Sequence, residues 1–254
     1  MLSDAELDRY ARQIILKEIG GAGQMRLKAA TVTVIGAGGI GSPVIQYLAG
    51  AGVGRLVVID DDTVGLSNLQ RQTLFATAEI GQPKVAAAET RTRALNPEVG
   101  FSGRATRIAA SNATAMLAGA DVVIDGCDNF ATRLAVADAA LGLRIPLVSA
   151  AVGQLEGQLA VYRGWEPDKP CYRCFVGDAP DRDGGTCADD GVLGPVTGVL
   201  GSMAALEAIR ALVPFGDDPA GRVLLLGLLG WRFRTLTLPK DPGCRACSGQ
   251  LNSR

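Results

Sequence analysis

The turn at residues 36–41 constrains this chain more than any other stretch. Gly36, Gly38 and Gly41 have the G-x-G-x-x-G spacing; a β-branched run, residues 31–35, precedes them and an apolar helical run, residues 42–49, follows. In that setting the glycines, with Gly39 inside the turn, let the backbone bend tightly and approach a phosphate, at which the helix directs its first N–H groups and positive dipole end. Asp60 closes the next β-rich segment, RLVVID, close to the roughly 20-residue offset at which a carboxylate takes ribose hydroxyls. A unit of this kind predicts an α/β fold with a Rossmann-like, doubly wound, mostly parallel sheet. It binds an adenine nucleotide without specifying which, NAD being the ordinary occupant.

Composition argues against that ordinary occupant. The 254 residues include no histidine, so the commonest acid/base side chain of hydride transfer is missing, and Ser-His-Asp and Cys-His chemistry are excluded. Lys plus Arg number 25 against 26 for Asp plus Glu, which gives no broad basic field for nucleic acid or an anionic membrane. A small-molecule or protein partner is expected. The N-terminal residues lack a basic start followed by an apolar core, and the apolar runs fall short of the ~20 residues of a membrane span, so a cytoplasmic location is expected. Six cysteines in such a chain point to metal or reactive roles. Cys171-Tyr-Arg-Cys174 and Cys244-Arg-Ala-Cys247 are two C-x-x-C pairs, whereas Cys127 and Cys187 stand alone. Four thiolates in such pairs suit tetrahedral zinc, although the long separation between the pairs leaves it to the fold to unite them.

Ser3 and Glu6 have capping-box spacing ahead of an amphipathic run, which predicts a first helix of about three turns carrying Arg9 and Arg12. A glycine-rich break at Gly20, Gly21 and Gly23 is expected next, with a short helical piece through Met25 and Leu27. Beyond Asp60 a polar loop carries Asn68 and Arg71 at the strand's carboxyl end, where open α/β sheets put ligand groups. Pro83 opens a helix with Lys84 in its first turn, and Asn96-Pro97 stops it. A lysine there opposes the dipole and hints at an anion it must face. A strand over 99–105, a short helix over 113–117 and a buried strand over 121–125 follow, the last ending in Gly-Cys-Asp-Asn with Asp128 and Asn129. A helix over 131–141 and a strand over 146–150 complete the doubly wound part. Residues 154–163, 222–229 and 231–238 read as antiparallel strands extending the sheet, with a long buried helix from Pro195 to about Val213 between them.

These residues in this order resemble the MoeB/ThiF/HesA family, bacterial relatives of ubiquitin-activating enzymes. RQIIL at 12–16, the 36–41 turn, DDDTVGLSNLQRQTLF ending at Phe75, GQPK ending at Lys84, Asp125-x-x-Asp128-Asn129, CYRC, the Thr-Cys of Cys187 and PGCRAC carry the likeness, which covers almost the whole length. The resemblance implies ATP-dependent adenylation of the C-terminal glycine carboxylate of a ubiquitin-fold sulfur carrier ending in Gly-Gly, with release of pyrophosphate. It implies that Asp60 holds the ribose, that Asn68, Arg71 and Lys84 hold phosphates and that Asp128 binds magnesium beside Asn129. It further implies that Arg12 serves the neighbouring subunit of a homodimer and that Cys171, Cys174, Cys244 and Cys247 hold structural zinc. Cys187 matches a position that forms covalent carrier adducts in some relatives. The missing histidine then has a reason, because a carboxylate is ionised at neutral pH and needs alignment and charge neutralisation rather than a base.

On this reading residues 1–254 form a single adenylation domain, with N-terminal helices over 1–30, a nucleotide-binding half over 31–150 and a carrier-binding and zinc half over 151–254. Molybdopterin and thiamine synthesis are both served by such carriers, and sulfur is expected from a separate donor protein. An NAD-dependent oxidoreductase and a non-catalytic zinc-bound scaffold for the carrier stay open.

Overall fold

A computed structural model describes residues 1–177 and 191–248; Cys187 lies outside the described residues. The chain opens with α1 (Asp4–Ile14), capped as its sequence predicts: the Glu6 N–H donates to the Ser3 hydroxyl and the Ser3 N–H to the Glu6 carboxylate. The expected glycine break is instead the start of a ten-residue helix, α2 (Gly20–Ala29). Its packing explains the difference, since a Cβ on Gly23 would meet Val213 at 2.9 Å. Tertiary contact overrides weak propensity here.

The sheet runs through β1 (Thr31–Ile35), β2 (Arg55–Ile59), β3 (Gly100–Arg104), β4 (Val122–Asp125), β5 (Leu147–Gly153), β6 (Glu156–Tyr162), β7 (Arg222–Gly227) and β8 (Arg232–Thr237). Its order is β3-β2-β1-β4-β5-β6-β7-β8. The first five strands are parallel, and β5 to β8 pair antiparallel. The parallel strands β1 and β4 are almost entirely buried, in keeping with their continuous apolar runs. By contrast β8 forms an exposed edge along its whole length.

Helices α3 (Gly41–Gly50), α4 (Lys84–Leu95), α5 (Ala113–Leu117), α6 (Phe130–Leu143), α7 (Tyr172–Val176) and α8 (Gly194–Leu212) are the other α-helices among the described residues. One apolar core joins α3 and α8 to one face of the sheet; a second joins α6 to the other. The sequence expects α8 to be buried, and Leu200, Ala204 and Ala208 are fully so, but Val199 and Leu206 remain exposed. Among the described residues, no helix is long and apolar enough to cross a membrane.

Candidate functional site

The strand order reverses between the adjacent strands β1 and β4, so a crevice opens at their carboxyl ends. The glycine turn lines it. Gly36 has φ +86°, and a Cβ on it would lie 3.5 Å from the carbonyl oxygen of Gly126, just past β4. A Cβ on Gly41 would lie 1.9 Å from the Gly36 carbonyl oxygen, so no larger residue closes this turn. Gly39 sits against Thr197 near the start of α8, and Gly38 faces Gln72. No side chain caps α3; its Ser42 N–H donates to Gly38 O at 2.9 Å and its Val44 N–H to Ile40 O at 3.4 Å, so the N–H groups left for a ligand are those of the glycine turn itself.

Asp60 ties the turn to the loop after β2. Its Oδ2 accepts from the Ala37 N–H at 2.7 Å and its Oδ1 from the Asp62 N–H at 2.8 Å. Burial raises the Asp60 carboxyl above the ordinary carboxylate range, against the opposing charge of Lys84 and these two donors. The loop then pairs with the segment ahead of α4: Val64 N–H donates to Gln82 O, and Lys84 N–H to Asp62 O at 3.0 Å. Lys84 is thereby fixed at the first position of α4, 5% exposed, with Nζ 2.9 Å from Asp62 Oδ2. Asp62 is 62% exposed. It is a contact of Lys84 that reading the sequence missed, although Asp60-Asp61-Asp62 stands out as an acidic run. Those three carboxylates lie within 4.8 Å of one another and could hold a cation. Half-buried Asn68 accepts from the Gly65 N–H, and the Arg71 guanidinium donates to Ser67 O at 3.0 Å.

At the end of β4, Asp128 is exposed, and its side chain has no partner among the described residues. Asn129 caps α6, its Oδ1 accepting from the Thr132 N–H at 3.0 Å. The half-buried Cys127 thiol points at Asp125 Oδ1, 2.9 Å away. Burial and that carboxylate push this thiol far above its usual range, which favours the neutral thiol over the thiolate. Arg133, which the sequence reading did not single out, reaches Asp125 Oδ2 from α6 at 3.2 Å.

The fold brings the four C-x-x-C cysteines together. Sγ separations are 3.8 Å for Cys171–Cys174, 3.6 Å for Cys171–Cys244 and 3.5 Å for Cys174–Cys247. A zinc ion with Zn–S bonds of ~2.3 Å sets its sulfurs roughly 3.8 Å apart at the corners of a tetrahedron, so the donor set fits zinc. Contact with the Cys171 thiol draws the Cys174 thiol down to about 5, whereas burial pushes Cys247 up to about 12.

Arg12 lies elsewhere. The Gln13 side chain donates to Ala51 O at 2.8 Å, and Tyr10 meets Asn96, which donates to Ala49 O at 2.7 Å. These contacts hold α1 at the C-terminal end of α3, a helix length of about 15 Å from the glycine turn. Arg12 is exposed without a partner among the described residues, beside exposed Ile15 and Leu16.

The model of the ThiF family matches residues 10–246. A sulfur carrier protein adenylyltransferase of Thermus thermophilus is 44% identical over 255 residues, spanning 98% of this chain and 93% of that protein. A molybdopterin-synthase adenylyltransferase of Salmonella typhimurium is 40% identical over 246 residues, spanning 97% and 98%. Among solved structures, Escherichia coli MccB with ATP aligns at a TM-score of 0.82 and 22% identity, over 94% of this chain and 74% of that one, a likeness of fold.

Proposed function

The chain belongs to the ThiF family, and from that premise we propose how it works. It is an adenylyltransferase that uses ATP to adenylate the C-terminal glycine carboxylate of a ubiquitin-fold sulfur carrier, in the sulfur transfer of molybdopterin or thiamine synthesis. This replaces the NAD-dependent and scaffold readings. A carboxylate oxygen of the carrier forms a bond to the α-phosphorus, the bond from that phosphorus to the bridging oxygen breaks, and pyrophosphate leaves with the electron pair.

The observation that carries the site assignment is the convergence of the glycine turn, Asp60 and buried Lys84 at the β1/β4 crevice. On this reading the turn of Gly36, Gly38, Gly39 and Gly41 receives phosphate at the start of α3, and Asp60 takes the ribose. Asn68, Arg71 and Lys84 neutralise the phosphates, with Asn129 shaping the edge of the site. Asp128 is an exposed carboxylate of the kind magnesium binds together with substrate phosphates, and the ion would spread charge on the leaving group. The test is ATP–pyrophosphate exchange. It is expected with a carrier ending in Gly-Gly and lost with the same carrier cut before its last two residues, and equal exchange with both would overturn the reading.

We assign the phosphate-facing role of Arg12 to the partner in a homodimer. A helix length separates it from its own glycine turn, and Ile15 and Leu16 form an exposed apolar margin beside it. Residues 1–254 are read as one adenylation domain, with the carrier against its second half and Cys187 as the candidate for a covalent adduct. A separate sulfur donor and a cytoplasmic location complete the reading, the latter suiting thiols kept reduced for metal.

Cys171, Cys174, Cys244 and Cys247 would hold zinc that ties the second pair to the sheet. One zinc per chain is expected on metal analysis. Cys247→Ser should lower the melting temperature, because a buried ligand is lost and the ion with it. Acid should release the metal as the thiolates protonate, so retention falls as pH drops. Protein purified without zinc, or melting unchanged by Cys247→Ser, would remove the assignment.

A further inference from the structure

A continuous run of contacts along α6 joins the cysteine cluster to the loop that carries Asp128. Tyr172, between the first two cysteines, is 4% exposed, and its ring lies 6.4 Å from that of Phe130, the first residue of α6 and two residues past Asp128. Arg173 forms a two-pronged ion pair with Asp138 on the same helix, both bonds 2.7 Å. One turn further, Leu141 packs directly among the cysteines of the cluster. The thiol cluster therefore grips α6 at its start, middle and end.

The same helix holds the Asp128 loop. The buried Arg133 guanidinium donates to Asp125 Oδ2 at 3.2 Å, Ser149 Oγ at 3.3 Å and Ala150 O at 2.9 Å, and also to the carbonyl of Cys127, the residue before Asp128. A planar fork satisfied by four acceptors has little freedom, so the Cys127 carbonyl follows α6 wherever the helix is seated.

We propose that α6 couples the two sites. Filling the cysteine cluster seats α6, which through Phe130 and Arg133 orients Asp128 toward the phosphates, making Tyr172 and Arg133 positioning residues. This rests on the zinc and Asp128 readings above. The coupling is reciprocal: zinc strengthens magnesium-dependent ATP binding, and magnesium with ATP retains zinc. A cluster that merely staples the second half of the chain would do neither.

The test uses the full chain loaded with zinc. Two variants loosen the grip, Tyr172→Leu at the ring contact and Asp138→Ala at the exposed ion pair, the second carrying the test if the first does not fold. ATP affinity is measured by calorimetry with and without added magnesium, and zinc transfer to a chromophoric chelator is timed with and without MgATP. In both variants the magnesium-dependent gain in ATP affinity should fall at least about fivefold, the low end of typical coupling, while affinity without magnesium stays at the parent value. MgATP should slow zinc transfer from the parent and lose that protection in the variants. Variants that match the parent in both measurements, or that lose affinity equally with and without magnesium, would overturn the coupling alone. A parent with no magnesium-dependent gain would overturn the Asp128 reading and the coupling with it.

Discussion

Lys84→Met is expected to lower carrier-dependent pyrophosphate exchange by about 10²–10³-fold, or roughly 2.7–4 kcal/mol, the scale of removing one preorganised charge-stabilising donor. The Lys84 side chain is 5% exposed, so little water would stand between its charge and a bound phosphate. Methionine keeps an unbranched stem in the same space. The carboxylate left behind, Asp62, is 62% exposed and returns to water, so the melting temperature should stay close to the parent's. Exchange at the parent rate would remove Lys84 from the phosphates. A pH effect follows from Asp60, which burial pushes up and the Lys84 charge pulls down. With that charge gone the Asp60 pKa rises further, so nucleotide binding by the variant should fade at a higher pH than in the parent as the solution is acidified. Calorimetry across the acid range checks this.

Arg12→Ala and Asp128→Ala should each abolish exchange when pure, and a mixture should recover it. In a mixed dimer one site joins the intact Asp128 of one subunit to the intact Arg12 of the other, while the second site lacks both. Random exchange of equal amounts makes half the dimers mixed, each with one working site, so recovery should reach about one quarter of the parent rate. Arg12 reaching its own crevice would leave the mixture dead, as would a monomer. Light scattering and a tagged subunit establish that exchange of subunits has occurred.

Local signals carried much of the architecture into the sequence. The β1–turn–α3–β2 unit, the Ser3/Glu6 cap and the Asn96-Pro97 stop depend on neighbours within a few residues, and the structure has them within one or two positions of where they are expected. Asp60 and Lys84 were legible for a related reason, one closing a strand and the other opposing a helix dipole. Legibility ended where function depends on distant partners. The glycines of α2 look like a break because the contact of Gly23 with Val213 is invisible in a local window. Asn96 reads as a helix terminator, yet its buried amide bonds Tyr10 and Ala49. Arg133 gave one faint signal, a lone cation amid the apolar residues of α6, and Asp62 gave none that separated it from its acidic neighbours.

The cysteine cluster also has a consequence in time. Its first pair leaves the ribosome ahead of α8, β7 and β8, and its second pair only after them, so the site cannot close until nearly all of the described chain has been synthesised. The parallel strands and their helices can assemble earlier from the residues already available. With zinc held as proposed, metal capture would be the closing step of maturation, locking the antiparallel strands onto a sheet that already exists. Cells starved of zinc should accumulate a nascent form with strands β1 to β5 in place and β7 and β8 unsecured, open to proteases that the finished protein resists.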